Sequence, residues 1–234
     1  MSKVTNGVVA WAICPSKYVQ EAVQGVKDYL HTKFDGRKLK KRTSTPFERD
    51  YRPEVDETPV LDHELANYYQ SQIGILRWMV ELGRVDLITE VSLLASQVAM
   101  TREGHLEEVF HIYSYLNCKH NSRKVFDPTY PEIDMSNFKE CDWKSFYGDC
   151  KEAIPSNAPL PRGKEIDLRL FVDSDHAGDL RTRHSRTGFF IFMNMSPIVW
   201  YSKKQSTIET SVFGAEFVAM KSGMEVLRGL RYML

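Results

Sequence analysis

Leu168-Arg169-Leu170-Phe171-Val172-Asp173-Ser174-Asp175-His176-Ala177-Gly178-Asp179 is the stretch on which the reading of this 234-residue chain turns. Its first half has the length and apolar alternation of a strand. An Asp near the end of such a strand is costly to bury unless something binds it. Forty-three residues after Asp173 comes Glu216, in Ser211-Val212-Phe213-Gly214-Ala215-Glu216-Phe217-Val218-Ala219-Met220, which reads as the first turns of a helix packed on that strand. Two hard oxygen donors on rigid neighbouring elements suit Mg²⁺. The plain alternative is a solvated strand-end Asp and a first-turn Glu favoured by the helix dipole.

Working outward, the pattern predicts strands over 166–174, 187–194 and 197–203 and a helix over 212–231, with Phe189, Ile191, Ile198 and Trp200 supplying apolar faces. Residues 162–234 hold eleven Lys and Arg against eight Asp and Glu. Arg181, Arg183, Arg186, Lys203 and Lys204 fall in or beside the turns that flank these strands. Basic side chains near carboxylates are what a phosphate-tracking nuclease needs, and a solvated hairpin with scattered charge would look the same.

Four ordered blocks carry a resemblance. Asp173 to Asp179, Arg183-His184-Ser185-Arg186-Thr187-Gly188-Phe189, Pro197-Ile198-Val199-Trp200-Tyr201-Ser202-Lys203-Lys204-Gln205-Ser206-Thr207 and Ala215-Glu216-Phe217-Val218-Ala219 resemble, in order and at nearly the right spacing, the opening of the RNase H domain of copia-type retrotransposon polyproteins. Upstream, Ser16 with Tyr18 and Val19, Thr45-Pro46-Phe47, Tyr69 to Gly74, Gly83-Arg84-Val85-Asp86, His105 and Tyr115-Leu116 resemble the end of the family's reverse transcriptase and the helical region that joins it to RNase H. Two positions depart from the pattern. Gly214 stands where the family's first Glu of its Glu-Ala-Glu block would be, and His176 stands where a Trp follows the second Asp.

The resemblance implies an α+β fold, with a mainly helical connection region followed by an incomplete RNase H-like mixed sheet of three strands and a first helix. It implies two Mg²⁺ ions in a complete homologue, roughly 3.5–4 Å apart, hydrolysing RNA in an RNA–DNA hybrid. Asp173 would bridge both ions and Glu216 would ligate one. The family's third and fourth carboxylates are expected beyond Leu234 and its polymerase Asp pair before Met1, so whether this chain is itself an enzyme stays open. Implied partners are an RNA–DNA hybrid or other nucleic acid and the remainder of the polyprotein.

Composition narrows the classes. The chain is 42% hydrophobic and 26% charged with a net charge of zero, which is ordinary globular composition and argues against nucleic-acid binding through an overall positive field. The longest uncharged apolar run, Gly7 to Cys14, is too short to span a bilayer, so no membrane partner is expected. Cys14, Cys118, Cys141 and Cys150 follow no disulfide-framework spacing, which points to an intracellular, reducing compartment, cytoplasm or nucleus.

Four parts follow along the chain. Residues 1–50 combine a strand at about 7–14, a helix at 16–31 that Ser16 would cap, and the basic loop Arg37-Lys38-Leu39-Lys40-Lys41-Arg42, which suits either a nucleic-acid backbone or plain solvation. Residues 51–130 read as helical, with Asp62, Asp86 and Thr101 as caps and Leu106, Val109, Phe110, Tyr113 and Leu116 turned inward. His105 and His111, six apart, lie on different faces and read as surface or satisfied core histidines. Tyr68, Tyr69 and Trp78 read as core packing rather than base-stacking groups. Residues 131–165, with Pro131, Pro155, Pro159 and Pro161, read as an irregular insertion or linker. Its Glu140-Cys141-Asp142-Trp143 faintly echoes the later acidic block, and Cys141 with Cys150 makes a poor zinc site without a nearby His. Residues 166–234 form the partial RNase H-like domain. Two function classes remain: an RNase H-type hydrolase segment of a polyprotein, and a non-enzymatic remnant or connection module that binds nucleic acid or a protein.

Overall fold

Four amphipathic helices build the main core of the protein in this computed structural model: α1 (Ser16–Lys33), α2 (His63–Glu81), α3 (Ile88–Ala95) and α4 (Glu103–Cys118). The structure describes all residues except 1, 4–6, 8, 135, 137, 138, 140, 150–152, 154, 159, 161 and 162, and only the backbone of residues 2 and 3. Cys150, Glu140, Pro159 and Pro161 therefore lie outside the described residues. Val19, Val23, Val26 and Leu30 recur at helical spacing on α1 and meet Tyr69, Ile73, Leu76 and Met79 of α2 and Val109, Ile112, Tyr113 and Leu116 of α4. Each such fully buried aliphatic side chain contributes roughly 1.5–3 kcal/mol.

Caps were only partly readable. Asp62 precedes α2 and accepts from the Leu65 N–H at 2.8 Å, as its position predicts. Ser16 is instead the first residue of α1, and its hydroxyl bonds His120 Nδ1 at 2.8 Å. Asp86 sits inside a 3₁₀ turn, Val85–Leu87, where its carboxylate takes both Arg84 Nε (2.9 Å) and Nη2 (2.7 Å). Thr101 is buried ahead of Arg102, whose N–H is accepted by His105 Nδ1 at 3.1 Å.

His105 and His111 are satisfied core histidines. His105 Nε2 lies 2.9 Å from the Pro53 carbonyl and His111 Nε2 lies 3.1 Å from that of Thr45. Tyr69 is fully buried with its hydroxyl on the Leu94 carbonyl, and Tyr68 stacks on Tyr29 at 3.6 Å. Trp78 departs from the expected core role and is more than half exposed.

A small antiparallel sheet joins β1 (Ser2–Lys3), β2 (Val9–Ile13) and β3 (Lys124–Phe126) in that order. The three-residue β3 has no signature of its own and exists through its pairing with β2. The described residues between β3 and the next sheet are largely irregular and include one five-residue helix, α5 (Trp143–Tyr147), capped by Asp142.

The second sheet is the meander β4 (Leu168–Asp175), β5 (Arg186–Met193), β6 (Ser196–Lys204), followed by α6 (Val212–Met233). All its pairings are antiparallel, so the described strands form no mixed sheet. β5 and β6 are joined at a tight turn in which Asn194 takes φ +54°, a left-handed conformation that Asn tolerates. Gly223 of α6 lies over Leu170, where an added Cβ would come within 2.9 Å of the Leu170 Cδ1. This glycine allows the helix to lie close on β4. Alternation then assigns Leu170, Val172 and Ser174, with Ile191, Phe189 and Thr187 opposite, to the α6 face together with Leu168. The other face meets the helices through Trp200, whose indole N–H donates to the Val80 carbonyl at 3.1 Å.

Candidate functional site

The strand β4 delivers Asp173 opposite Gly188 and Asp175 opposite Arg186. Both carboxylates project from the face away from α6, into a recess of about 330 Å³ lined by Phe171, Phe190 and the start of α3 at Ile88 and Thr89. Asp173 is exposed, and its Oδ1 accepts the neighbouring Ser174 N–H at 2.9 Å. Asp175 folds over the following turn, where a Cβ on Gly178 would fall 1.7 Å from its Oδ2.

Glu216 lies half-buried near the start of α6, whose first turn is capped by the Ser211 hydroxyl on the Gly214 N–H at 3.1 Å. The neighbouring Ala215 carbonyl accepts Gln205 Nε2 at 3.0 Å, and the same nitrogen reaches Thr187 Oγ1 at 3.1 Å. Thr187 pairs with Ser174. Asp173 and Glu216 therefore come to one end of the sheet, on opposite sides of β4. No hydrogen bond or ion pair joins them among the described residues.

The segment between β4 and β5 is a closed turn built on Asp179. Its Oδ1 accepts the Arg181 and Thr182 N–H groups at 3.1 and 2.8 Å, and its Oδ2 pairs with Lys204 Nζ at 3.2 Å. Burial works to raise the Asp179 pKa, but these N–H donors and Lys204 outweigh it and hold the carboxyl below its usual value. Asp179 is thus the structural member of the acidic block, a role that its sequence position does not distinguish from that of Asp173.

The basic set divides. Arg181, Arg183 and Lys203 are exposed. Lys204 is paired with Asp179, and Arg186 is half-buried with its guanidinium on the Ser92 hydroxyl of α3. Burial pulls the Arg186 pKa down while Asp175, Asp179 and Glu54 oppose that pull, though an arginine stays charged throughout. Lys203 and Lys204 also point to opposite faces of β6 by alternation. Upstream, the 37–42 loop is partly engaged: Arg37 makes a two-pronged pair with Glu107 and Lys40 pairs with Glu48.

The chemistry of Asp173 and Glu216 suits a hard divalent cation, but their number and placement do not complete a site. Among the described residues no group of three or more His, Cys, Asp or Glu converges on a common point. Mg²⁺ held as two-metal hydrolysis requires does not fit these residues alone. Nor, among the described residues, is any helix long and apolar enough to cross a membrane.

Comparison with known proteins supplies the wider setting. No family model and no solved structure matches the chain. Over 98 residues it is 36% identical to an uncharacterized mitochondrial protein of Arabidopsis thaliana, covering 42% of this chain and 38% of that one. Over 192 residues, 80% of this chain, it is 23% identical to the retrovirus-related Pol polyprotein from transposon TNT 1-94 of Nicotiana tabacum. Over 149 residues, 64% of this chain, it is 24% identical to the corresponding polyprotein from transposon RE1 of Arabidopsis thaliana. The matched stretches span 12% and 8% of those two polyproteins. The chain is thus similar to a segment of retrovirus-related Pol polyproteins from transposons.

Proposed function

We propose that the chain acts as the junction of such a polyprotein, a helical connection region that carries the opening half of an RNase H-type domain. In this reading Asp173 and Glu216 are two of the carboxylates for Mg²⁺-dependent hydrolysis of RNA in an RNA–DNA hybrid, and further polyprotein segments supply the rest. The observation that carries it is the exposed Asp173 carboxylate at the end of β4, at the same sheet end as Glu216. Among the described residues Asp173 has no structural bond beyond the one to its neighbour's N–H, and a carboxylate kept open on a rigid strand is what a metal ligand requires. Cleavage of a labelled hybrid, by this chain and by the chain joined to the following polyprotein segment, tests it. Activity in the longer protein that Asp173→Asn removes supports the reading.

A second reading, a non-enzymatic module that binds nucleic acid, is favoured by one observation. Arg181 and Arg183 in the β4–β5 turn and Lys203 on β6 stand exposed beside a sheet whose two candidate ligands lie on opposite sides of β4. Salt-sensitive hybrid binding without cleavage in either protein would select it.

A further inference from the structure

The basic run from Arg37 to Arg42 belongs to a segment that α4 holds by its backbone. Between Asp35 and Glu48 the sequence carries five Lys and Arg and no Asp or Glu. At helical steps of three and four, Glu108, His111, Ser114 and Cys118 share one face of α4 and bond the segment's main chain. Glu108 accepts the Glu48 N–H at 2.7 Å, and His111 Nε2 lies 3.1 Å from the Thr45 carbonyl. Ser114 Oγ accepts the Lys40 N–H at 3.1 Å, and Cys118 Sγ donates to the Lys41 carbonyl at 3.5 Å. The chain thus runs out along the helix from Arg37, which pairs with Glu107, turns beside Cys118, and returns to Glu48. This strap is internal to the chain and tied to α4 at both ends, so the ordering cost that a loose loop meets on binding is already met in folding.

The cations of the strap divide by partner. Arg37 and Lys40 are held by Glu107 and Glu48. Lys38, Lys41 and Arg42 are exposed, and among the described residues no carboxylate pairs with them. Lys119, next in the chain after Cys118, is exposed in the same way. The large apolar side chains of the strap, Leu39 and Phe47, are packed against the main core, and no large apolar side chain from residue 14 to residue 54 is exposed.

That composition selects the ligand. A membrane-surface element sets apolar side chains beside its cations, and a protein interface is centred on an aromatic or aliphatic anchor. A surface of cations and hydroxyls without an apolar centre is the kind that meets nucleic-acid phosphates. Ser44, exposed two residues after Arg42, adds a neutral donor of the sort that phosphates also take.

We propose that the 37–48 strap is a nucleic-acid contact on the helical region, in which Lys38, Lys41, Arg42 and Lys119 bind backbone phosphates without reading sequence. It does not rest on Asp173 or Glu216 as metal ligands, and its cations are separate from Arg181, Arg183 and Lys203.

Titration of the full chain with an RNA–DNA hybrid in EDTA, over a range of salt, tests this, because binding is then read apart from any cleavage. Lys38→Ala, Lys41→Ala and Arg42→Ala together should lower the slope of log affinity against log salt by up to about 2.7, at roughly 0.9 per phosphate contact. Adding Lys119→Ala should lower it further. Lys17→Ala, Lys144→Ala and Lys221→Ala together remove the same charge from side chains already paired with Glu21, Asp149 and Glu225, and should leave the slope near that of the parent. Unchanged helical circular dichroism shows that each variant is folded. An unchanged slope in the strap variant overturns the proposal and leaves the run as solvated charge. An equal fall in the control variant also overturns it, since net charge would then account for the binding. Vesicles of phosphatidylcholine with phosphatidylserine, and polyglutamate, serve as other anions. Strap-dependent binding to either that matches hybrid binding at the same salt overturns the assignment to nucleic acid. Failure of the longer protein to cleave hybrid would leave this titration unaffected.

Discussion

The Arg186 guanidinium on β5 donates to the Ser92 hydroxyl on α3, and this bond helps to fasten the sheet to the helical region. Ser92 in turn donates to the Ser202 carbonyl of β6 at 2.7 Å, so one α3 side chain ties two strands. The block that holds Arg186 in sequence is therefore half anchor and half exposed charge.

Arg186→Ala should lower stability by roughly 2 kcal/mol, because it removes a charge-assisted bond to Ser92 and a cation that attracts Asp175, Asp179 and Glu54. Arg181→Ala, at an exposed position, should stay within about 0.5 kcal/mol of the parent. Urea denaturation of the two variants measures both. Equal effects would contradict the division of the basic set.

Arg181 and Arg183 remain available to phosphates. Replacing both by Ala should reduce the salt dependence of hybrid binding by up to about two units, at roughly 0.9 per contact. An unchanged slope in a binding titration over salt would make them ordinary surface.

Gly104 opens α4 against Asp56, whose carboxylate accepts the Tyr51 hydroxyl and the Thr58 N–H at 2.7 and 2.9 Å. A Cβ at position 104 would fall 1.9 Å from Asp56 Oδ2. Gly104→Ala should cost about 1–3 kcal/mol. Gly25→Ala, in α1 with open space around it, should stabilise by about 0.5–1 kcal/mol. Thermal unfolding compares the pair, and the same sign for both would be inconsistent with the packing described.

Glu108 is buried on α4 and accepts the Glu48 N–H at 2.7 Å. Its pKa is raised to about 7, mainly by burial; the Glu48 N–H bond and Lys40 oppose the rise, and the Glu48 and Glu107 charges add to it. An unfolded glutamate titrates near 4.3, so the protonated, folded form is favoured fully below that pH. This contribution is lost as pH rises from about 4.3 through about 7. Glu48, held low mainly by its bond to Lys40, acts in the acidic range below its usual value and so outside this window. Glu108→Gln should flatten the stability-against-pH curve between those limits. A parent curve with the same slope as the variant would show that Glu108 does not stay protonated.

Much of the sheet was legible because its signals are local. The alternation of Leu168, Leu170 and Val172, and of Phe189 and Ile191, fixes the strands to within two residues at each end, and the stretch after Ser211 reads as a helix start. Helix caps were less so: Ser16 is the first residue of α1 rather than the cap before it, and α3 and α4 start two residues beyond Asp86 and Thr101. β3 was missed because three residues pair by tertiary placement alone. At the site, Arg181 and Arg186 look alike in sequence, and a contact 94 residues away in α3 separates their roles. Which face of β4 carries Asp173 follows from periodicity, but the side on which α6 lies is set by the close approach at Gly223.

The most direct test of the central claim is Mg²⁺-dependent cleavage of an end-labelled RNA–DNA hybrid. This chain alone should cleave no faster than buffer, since its described residues gather too few metal donors in one place. Joined to the following segment of the polyprotein, it should cleave, and Asp173→Asn should abolish that activity while leaving hybrid binding intact. Cleavage in the longer protein that survives Asp173→Asn, or equal cleavage by this chain alone, would contradict the assignment of Asp173 as a metal-binding carboxylate completed from outside the chain.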